Sequence, residues 1–457
     1  MKTYQDLAVI TAEEERKRFV FSAVMEYKGS LAYKQAVDGI NYSTGNNTAI
    51  SEFRKLLYTI TGEAVPDNFS ANHKCASGFL NRLTCQLSSY LLSNGVQFEQ
   101  DKTKDKLDTD LDTKLLNAAQ NALIQGASYG FFNLDHIDYF SASEFVPLFD
   151  EETGALRAGI RFWQITSDKP MRATLYEEDG FTEYMKKDME LVTIMEKRAY
   201  ILNTKHSNAD GLQIVSGENY KGFPIVPLYA NIARLSELAP VKSQIDAFDL
   251  IKSGFANDLD EASMMYWTLE NCGGMTDIDL VKFRDRIRTV KAAVVDGDQG
   301  ARAEAHTVDV PYQSREVYLN RLEKDIIKDF MGLDMESMRA GNVTATQIKA
   351  AYEPLSEKAD RFEAQIIHHI LALLELAGIE DYPKFRRSQM ANELEQTQMV
   401  MMCANILDTQ TILEHIPWIT VDEVPAILER LQDEEMNRVV DDNGSNDNGN
   451  DDGDGDE

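Results

Sequence analysis

The chain has 457 residues, of which 43% are hydrophobic, and a formal net charge of −30 at pH 7. Eight uncompensated acids lie in the terminal run DDNGSNDNGNDDGDGDE, residues 441–457, which leaves −22 on the remainder. So acidic a chain is not expected to bind duplex DNA with high affinity, because such binding neutralises phosphates with lysine and arginine, and its length predicts two or more modules with separate cores.

The first strongly patterned helix is predicted in residues 71–95, ANHKCASGFLNRLTCQLSSYLLSNG. The pair Asn94-Gly95 marks its C-terminal end, because glycine adopts the left-handed conformation that closes a helix. Its apolar face, at spacings of three and four, consists of Cys75, Phe79, Leu83, Leu87 and Tyr90.

From about residue 129 to 232 the pattern changes to short aromatic and β-branched runs, such as EFVPLFDEETGALRAGIRFWQI. Both flanks of DEETG alternate between apolar and polar residues, which predicts a meander of antiparallel strands with a turn at that point. The meander ends in GFPIVPLYAN, where Pro224 and Pro227 restrict the segment to the edge of a sheet.

A long amphipathic helix is predicted next in residues 238–267, with Pro240 at an early helical position. At 1.5 Å per residue it would reach roughly 40 Å, which suits a stem that packs against copies of itself. A small lobe follows in residues 268–313. The apolar stripe of the long helix consists of Ile245, Phe248, Ile251, Phe255 and Leu259.

A second helix is predicted to begin with Ser314 as its cap, and its stripe consists of Tyr318, Leu322, Ile326 and Phe330. A loop of small residues, 334–343, then leads into a third helix, whose start is marked by the capping box of Thr344 and Gln347. Pro354 is expected to bend this helix, and Gly378 to end it. The terminal run 441–457 is predicted to be disordered.

Motifs for catalysis, metals and nucleotides are weak or missing in the sequence. GASYG, residues 126–130, matches the nucleophile elbow G-x-S-x-G, but it follows a helical pattern and precedes a strand, the reverse of the order that an elbow requires. A helix-to-strand turn with glycines at its corners is the better interpretation, and a hydrolase using Ser128 is the alternative. No catalytic residue, metal site or cofactor is predicted.

Cellular context is also constrained by the sequence. Its cysteines, four in number, are scattered without a CxxC pair, which favours reduced thiols over disulfides or a zinc site. No apolar stretch approaches the roughly 20 residues of a membrane-spanning helix, and the first residues lack the apolar core of a signal peptide. We therefore expect neither a membrane protein nor an exported one.

An ordered series of segments resembles the portal proteins of tailed bacteriophages, in the branch of long-tailed phages of Gram-positive hosts. The helix ending in Tyr90-Leu91 and Gly95, the turn GASYGFFNLD, and FPIVPLYAN followed by the first long helix resemble family segments. TQTILEHIPWITVDEVPAILERLQDEE resembles the family's crown helices, and the likeness covers residues from about 30 to 436. The family's polar cadence in the first long helix is matched by Asp246, Asp249, Ser253, Asn257 and Asp258, with Asp249 where asparagine is more frequent.

The resemblance implies an α+β, predominantly helical portal fold with wing, stem, clip and crown, assembled as a closed ring of twelve subunits. Such a ring lies at one capsid vertex, packages double-stranded DNA driven by the large terminase, and releases it at infection. The resemblance also implies that the protein nucleates procapsid assembly and contacts the head-completion, scaffolding and major capsid proteins. It implies that DNA binding is not sequence-specific and that the protein has no enzyme activity. The location implied is the virion, and the host cytoplasm during assembly.

By position, the resemblance also assigns segments and site residues. The segments are an N-terminal region and wing in 1–237, the stem in 238–267 and 314–333, the clip in 268–313, a tunnel loop in 334–343, a long wing helix in 344–380, a crown in 381–440 and the acidic tail in 441–457. The tunnel loop comprises Asp334, Met335, Glu336, Ser337, Met338, Arg339, Ala340, Gly341 and Asn342. The clip residues that face the terminase or adaptor are Lys282, Arg284, Arg286, Arg288, Asp296 and Asp298.

Two other interpretations remain open from the sequence. A minor capsid or scaffold-type interaction protein would share the helical stems without enclosing a DNA channel. The hydrolase alternative requires an exposed Ser128 on a sharp turn.

Overall fold

The structure is a computed structural model. It describes residues 1–58, 61–68, 70–100, 102–188, 190–207, 211–262, 266–270, 276, 278–279, 281–282, 285, 302–306, 312–336, 345–388, 400–404, 406–416, 419–420 and 423–432. The chain divides into two compact units. The first comprises Met1–Met335 with Tyr352–Ser388, and the second Glu336–Ala351 with Gln389–Glu457.

The first unit begins with four helices, the second of which packs on an antiparallel sheet. These helices are α1 (Tyr4–Ala8), α2 (Glu13–Gly29), α3 (Leu31–Ser43) and α4 (Thr48–Ser51). Val20, Val24 and Tyr27 of α2 contribute to one core cluster with Leu148, Ile160, Leu175 and other residues of the sheet. The sequence of α2 is mostly polar and has a single apolar face. Packing of this face on the sheet therefore provides most of the stability of the helix.

A second group of elements follows α4. It contains β1 (Leu56–Tyr58) paired with β2 (Ala64–Pro66), then α5 (Phe79–Leu92), β3 (Val96–Gln97), α6 (Thr103–Leu107) and α7 (Leu111–Gln125). The predicted stripe of α5 is confirmed at Phe79, Leu83, Leu87 and Tyr90, all of which are buried. Gly95, with φ +71°, confirms the predicted end of that region.

The predicted start of this helix was wrong, because α5 begins only at Phe79 and Cys75 lies before it. The backbone of this preceding segment is bound by side chains of another helix. The Cys75 N–H donates to Ser253 Oγ at 2.9 Å, and the His73 N–H donates to Asn257 Oδ1 at 2.7 Å. Tertiary hydrogen bonds therefore replace the helical ones that the pattern predicted.

The meander prediction is confirmed. The strands are β4 (Ala127–Asn133), β5 (His136–Ser141), β6 (Phe145–Phe149), β7 (Leu156–Trp163), β8 (Arg172–Glu177), β9 (Gly180–Lys187), β10 (Glu190–Arg198), β11 (Ile201–Ser207), β12 (Gly211–Glu218) and β13 (Ile225–Tyr229). They form a five-stranded antiparallel sheet in the order β10-β9-β8-β7-β6, a hairpin β11-β12 and a three-stranded sheet β13-β4-β5. DEETG forms the turn between β6 and β7, and β13 is the edge strand that the prolines predicted.

GASYG forms the predicted helix-to-strand turn, but only one of its glycines lies at the corner. Gly126 caps α7 with φ +93°, a left-handed conformation that favours glycine. Gly130 lies inside β4, which corrects the second predicted corner. A Cβ on Gly130 would lie 2.9 Å from Cε1 of His369 and 3.0 Å from Cε1 of Tyr139, so glycine is required there by close packing.

Three long helices continue the chain. They are α8 (Lys242–Ala262), α9 (Tyr312–Phe330) and α10 (Ala345–Ala377), with strands β14 (Tyr266–Glu270) and β15 (Arg302–His306) between the first two and β16 (Lys384–Phe385) after the third. The first predicted helix was too long at both ends. Tyr266 and Trp267 lie in β14, which pairs antiparallel with β15, because aromatic and β-branched residues favour strands.

The start of α9 also corrects a prediction, since Ser314 lies inside the helix and does not cap it. In the sequence, Pro311 comes immediately before this start, and proline is a residue type that is frequent where helices begin. The helix α10 continues through Pro354, and Gly378, with φ +67°, follows its end as predicted. The spacing of apolar residues in the sequence predicts one stripe along this helix, consisting of Ile348, Tyr352, Leu355, Ala359, Phe362, Ile366, Ile370 and Leu373. The stripe is confirmed from Tyr352 to Leu373, where all seven residues are buried, whereas Ile348 is half-buried.

The described part of the second unit has a small core of its own. It contains α11 (Thr409–His415), whose N-cap Asp408 accepts from the Thr411 N–H at 3.1 Å. Residues 424–432 are also helical. The core joins Leu413, Ile416 and Val424 with partly buried neighbours, including Ile412 and Leu428. Pro417 and Trp418 of the crown resemblance lie outside the described residues.

Helices and antiparallel sheets both contribute to the fold, as the α+β prediction required. Across the ranges that the structure describes, none of the helices combines the length and the apolar composition needed to span a bilayer.

Candidate functional site

The N-terminal half of α8 and the C-terminal half of α9, here called their inner halves, are part of the core of the first unit. Ile245 of α8 and Ile326 and Phe330 of α9 are buried in one cluster with α5, and Phe248 packs partly buried at its side. The rest of this cluster consists of Tyr42, Phe79, Leu80, Leu83, Leu238, Val241 and Ile327. The two helices are therefore anchored to the body of the unit at one end.

The outer halves of the two helices, which are the C-terminal half of α8 and the N-terminal half of α9, carry apolar side chains that the described part of the chain does not cover. Ile251 and Phe255 are half-buried, whereas Leu259 is 52% exposed and Tyr318 49% exposed. An ion pair between Arg315 and Asp258 joins the two helices at this level. With 21 and 19 residues, α8 and α9 extend about 30 Å, so a long apolar stripe continues beyond the core.

The opposite face of α8 is polar and buried, which is the reverse of the usual arrangement. Asp249, Ser253 and Asn257 recur every four residues and are at most 7% exposed. Asn47 donates to Asp249, while Ser253 and Asn257 accept the backbone N–H groups of Cys75 and His73. We call these three residues the polar ladder. It fixes which face of α8 points into the chain, and so which face points outward.

Two acids of α8, one beside the polar ladder and one within it, have polar partners inside the chain. Asp246 accepts from the Tyr42 hydroxyl and lies 3.3 Å from Lys242 Nζ. Burial raises the pKa of the Asp249 carboxyl, and hydrogen bonds from Asn47 oppose that rise. An asparagine at this position would escape the cost of burying a charge, which gives a physical reason for the amide that the portal resemblance led us to expect there.

The end of α9 leads directly into the predicted tunnel loop. Met331 adopts φ +63°, and the Gly332 N–H donates to the Ile327 carbonyl at 2.8 Å, a geometry that closes a helix. The next residue, Leu333, exchanges two hydrogen bonds with the Gln86 side chain. Asp334, Met335 and Glu336 follow in the described part of the loop, and residues 337–342 lie outside it.

The predicted clip is described only in part. Strands β14 and β15 pair in register from Tyr266 with His306 to Glu270 with Arg302. Lys282 is exposed and its Nζ lies 3.8 Å from Asp279 Oδ1. The predicted clip residues Arg284, Arg286, Arg288, Asp296 and Asp298 lie outside the described residues.

The candidate nucleophile is not placed for catalysis. Ser128 lies within β4, the central strand of its sheet, and is 1% exposed. Its hydroxyl oxygen is 3.4 Å from the Phe140 carbonyl. A nucleophile elbow must expose its serine, so this geometry rules out the elbow. Among the residues that the structure describes, no group of histidine, cysteine, aspartate and glutamate side chains suits a metal ion.

His369 is buried between α10 and the three-stranded sheet. Its Nδ1 donates to the Pro227 carbonyl at 3.3 Å, and its Nε2 accepts from the Tyr139 hydroxyl at 3.1 Å. The ring is 1% exposed, and this burial lowers its pKa from 6.5 to about 4. The second histidine of the pair, His368, is exposed. His369 therefore serves as a neutral residue that links α10 to the sheet by hydrogen bonds.

The free energy of unfolding is expected to fall by about 3 kcal/mol more between pH 6.5 and 4 than in a His369→Gln variant. In the unfolded chain the ring takes up a proton near pH 6.5, whereas in the fold it remains neutral to about pH 4. Stability is therefore fully present above pH 6.5 and is lost as the pH falls to 4. Urea unfolding at a series of pH values measures this free energy for the wild type and for His369→Gln, with His368→Gln as the matched control. Parallel curves for the wild type and His369→Gln would contradict the assignment.

The sequence showed the apolar stripes, and the portal resemblance named Asp249, Ser253 and Asn257, but neither showed that these three residues are buried and orient α8. The polar ladder was visible as small polar residues at every fourth position of α8, a signal that a buried polar face also produces. Gln86, Lys358 and Glu237 gave no comparable signal, because each acts on a residue distant in the chain.

Comparison with known families decides the classification. The model of the family described as "Phage portal protein, SPP1 Gp6-like" matches residues 41–439. The chain belongs to this portal family. A portal protein of Clostridium phage phiCD119 is 29% identical over 233 residues, which are 49% of this chain and 51% of that protein. The match thus spans about half the length of that relative. The portal protein of Bacillus phage SPP1 is 22% identical over 448 residues, covering 90% of this chain and 86% of that one.

Among solved structures, a chain of "Neck of native GTA particle computed with C12 symmetry" is similar over 83% of this chain and 92% of its own length. Its sequence identity is 8% and its TM-score 0.42, too low to support a conclusion about this portal family member.

Proposed function

We propose that this chain forms a closed ring at one vertex of a phage capsid, through which double-stranded DNA is packaged and later released. Membership of the portal family supports this role. The observation that carries it is the apolar stripe on the outer halves of α8 and α9, which the described residues leave uncovered. The polar ladder holds the other face of α8 inside the chain, so Leu259 and Tyr318 remain exposed for a neighbour.

A second copy of the chain is the natural partner for that stripe. A head-to-tail contact repeated by rotation closes into a ring, and a stripe about 30 Å long offers continuous contact along the ring axis. In this proposal α8 and α9 form the stem around the channel, and twelve subunits complete the ring in the virion.

The remaining segments receive their roles from the family pattern. Residues 268–313 would face the large terminase and later the head-completion protein, and residues 381–440 would form the crown inside the capsid. The sheets of residues 127–229 would form the wing, which meets the scaffolding and major capsid proteins. The role is structural, and assembly would take place in the host cytoplasm.

The loop of residues 334–343 would contact the moving DNA. Between Asp334 and Asn342 it contains two acids and only Arg339 as a base. Each neutralised phosphate adds affinity, so a loop with a single cation allows the polymer to slide where a lysine-rich one would hold it. This is consistent with the excess of acidic residues in the whole chain.

Deleting residues 337–342 is expected to abolish packaging of full-length DNA without preventing ring assembly. The measurement is the length and yield of packaged DNA in cells infected with a phage that depends on the supplied variant. The matched control replaces the same segment by glycine and serine at equal length, and is expected to retain most packaging because reach is preserved. Normal packaging by the deletion variant would contradict the loop assignment and favour a minor capsid or scaffold role without a channel.

A further inference from the structure

The residues that lead from α9 into the loop are bound by a side chain of α5. Gln86 Nε2 donates to the Leu333 carbonyl at 3.1 Å, and the Leu333 N–H donates to Gln86 Oε1 at 2.9 Å. The primary amide thus satisfies both polar groups of one backbone residue, as a neighbouring strand would. Because both bonds are made by one planar amide group, they fix the orientation of Leu333 as well as its position.

Close packing reinforces these bonds. A Cβ on Gly332 would lie 2.7 Å from Leu83 Cδ2 and 3.2 Å from Gln86 Oε1, so the backbone lies directly against α5. The left-handed conformation of Met331 turns the chain towards this contact. The direction in which the chain leaves α9 is therefore set by α5 and not by the helix alone.

A side chain of α10 binds Phe330, the last residue of α9. Lys358 Nζ donates to the Phe330 carbonyl at 2.8 Å and lies 3.6 Å from the centroid of the Phe330 ring. The same ammonium pairs with Glu237 Oε2 at 2.5 Å. A cation at the C-terminal end of a helix is favourable, since it meets carbonyls that lack helical partners.

We propose that Gln86 is a positioning residue for the tunnel loop, which fixes the point and direction at which residues 334–343 leave α9. The proposal rests on the proposed function, because it assumes that this loop meets DNA. Lys358 supports the same point from the other side. With Leu333 fixed to α5, the chain leaves α9 from a defined point.

The test uses Gln86→Met, which keeps the size of the side chain and removes both hydrogen bonds. Gln120→Met is the matched control, because Gln120 of α7 is also half-buried and bonds to Asn81 and Cys85 of α5, and has no hydrogen bond to the described residues of the loop. Gln86→Glu is the conservative variant, since it still accepts from the Leu333 N–H. Each variant is supplied in infected cells, and rings, thermal stability and packaged DNA are measured.

Gln86→Met is expected to form rings with a Tm within about 4 °C of the Gln120→Met value, but to give about fivefold or more fewer DNA-filled heads. Gln86→Glu is expected to recover part of that loss. Equal packaging by Gln86→Met and Gln120→Met would overturn the inference. Failure of Gln86→Met to form rings would also overturn it, by assigning Gln86 to the core.

The outcomes for the proposed function are separate. If deleting residues 337–342 abolishes packaging while Gln86→Met does not affect it, the proposed function stands and the positioning role fails. If the deletion itself leaves packaging normal, the proposed function fails whatever Gln86→Met shows.

Discussion

Leu259→Lys is expected to prevent ring assembly while the subunit stays folded. Leu259 is 52% exposed on the outer half of α8, so little of the subunit's own core depends on it. A cation near the C-terminal end of a helix is also electrostatically favourable, which protects α8 itself. In the assembled ring, however, the stripe faces a neighbour, and the ammonium would have to be desolvated there.

The size of this effect follows from the buried leucine. Losing its burial costs about 2 kcal/mol at each subunit contact, a factor of about 30 in association, before any cost of burying the charge. A closed ring repeats this loss at every contact. Sedimentation velocity should therefore show rings for the wild type and free subunits for the variant.

The matched control for this experiment is Ile165→Lys, which places the same charge on an exposed apolar residue between β7 and β8. It is expected to assemble like the wild type. Far-ultraviolet circular dichroism and thermal unfolding establish that both variants are folded. Rings formed by Leu259→Lys at wild-type protein concentrations would show that the stripe on α8 is not a subunit contact.

Lys358→Met is expected to lower the free energy of unfolding by about 3–5 kcal/mol, the largest effect on stability that we predict. The Lys358 and Glu237 side chains are only 12% and 11% exposed. Removing the lysine leaves a buried carboxylate with Asn231 Nδ2 at 2.9 Å as its remaining polar contact among the described residues. It also removes the donor to the Phe330 carbonyl.

A double variant separates the cost of an unpaired charge from the value of the pair. Burial lowers the pKa of Lys358 even though Glu237 opposes that shift, which indicates that desolvation outweighs the attraction. Lys358→Met with Glu237→Leu is therefore expected to recover most of the lost stability. Urea unfolding measures it, with Lys169→Met, an exposed lysine, expected to change stability by less than about 0.5 kcal/mol. A double variant as unstable as Lys358→Met would contradict this explanation.

The sequence predicted those elements whose signal is local. The stripe of α10, the meander with its DEETG turn, the edge strand β13 and the glycines that end helices all follow from spacing or from single residues, and the structure contains them. The portal resemblance also came from an ordered series of local segments. Family membership confirms it.

The errors arose where distant parts of the chain compete with local preference. Cys75 fits a helical stripe, but the N–H groups of this segment are taken by Ser253 and Asn257 of α8. Gly130 has the form of a turn residue, but it lies inside β4, paired with Val226 and Tyr139, where His369 packs closely against it. Neither partner can be identified from the spacing of nearby residues.

The site was predictable to a similar extent. Helical periodicity identified the apolar residues of α8 and α9, but periodicity alone did not show that the rest of the described chain covers their inner halves and leaves their outer halves exposed. That division depends on the polar ladder and on the position of α5. Gln86 and Leu333 meet only because α5 and the end of α9 lie side by side.

Electron microscopy of the purified protein, with two-dimensional class averages and native mass measurement, tests the central claim most directly. We expect closed rings with a central hole and a mass that is an integral multiple of the subunit. A single population of monomers or dimers at several salt concentrations would contradict the conduit, because the stripe on α8 and α9 would then remain uncovered without a neighbouring subunit.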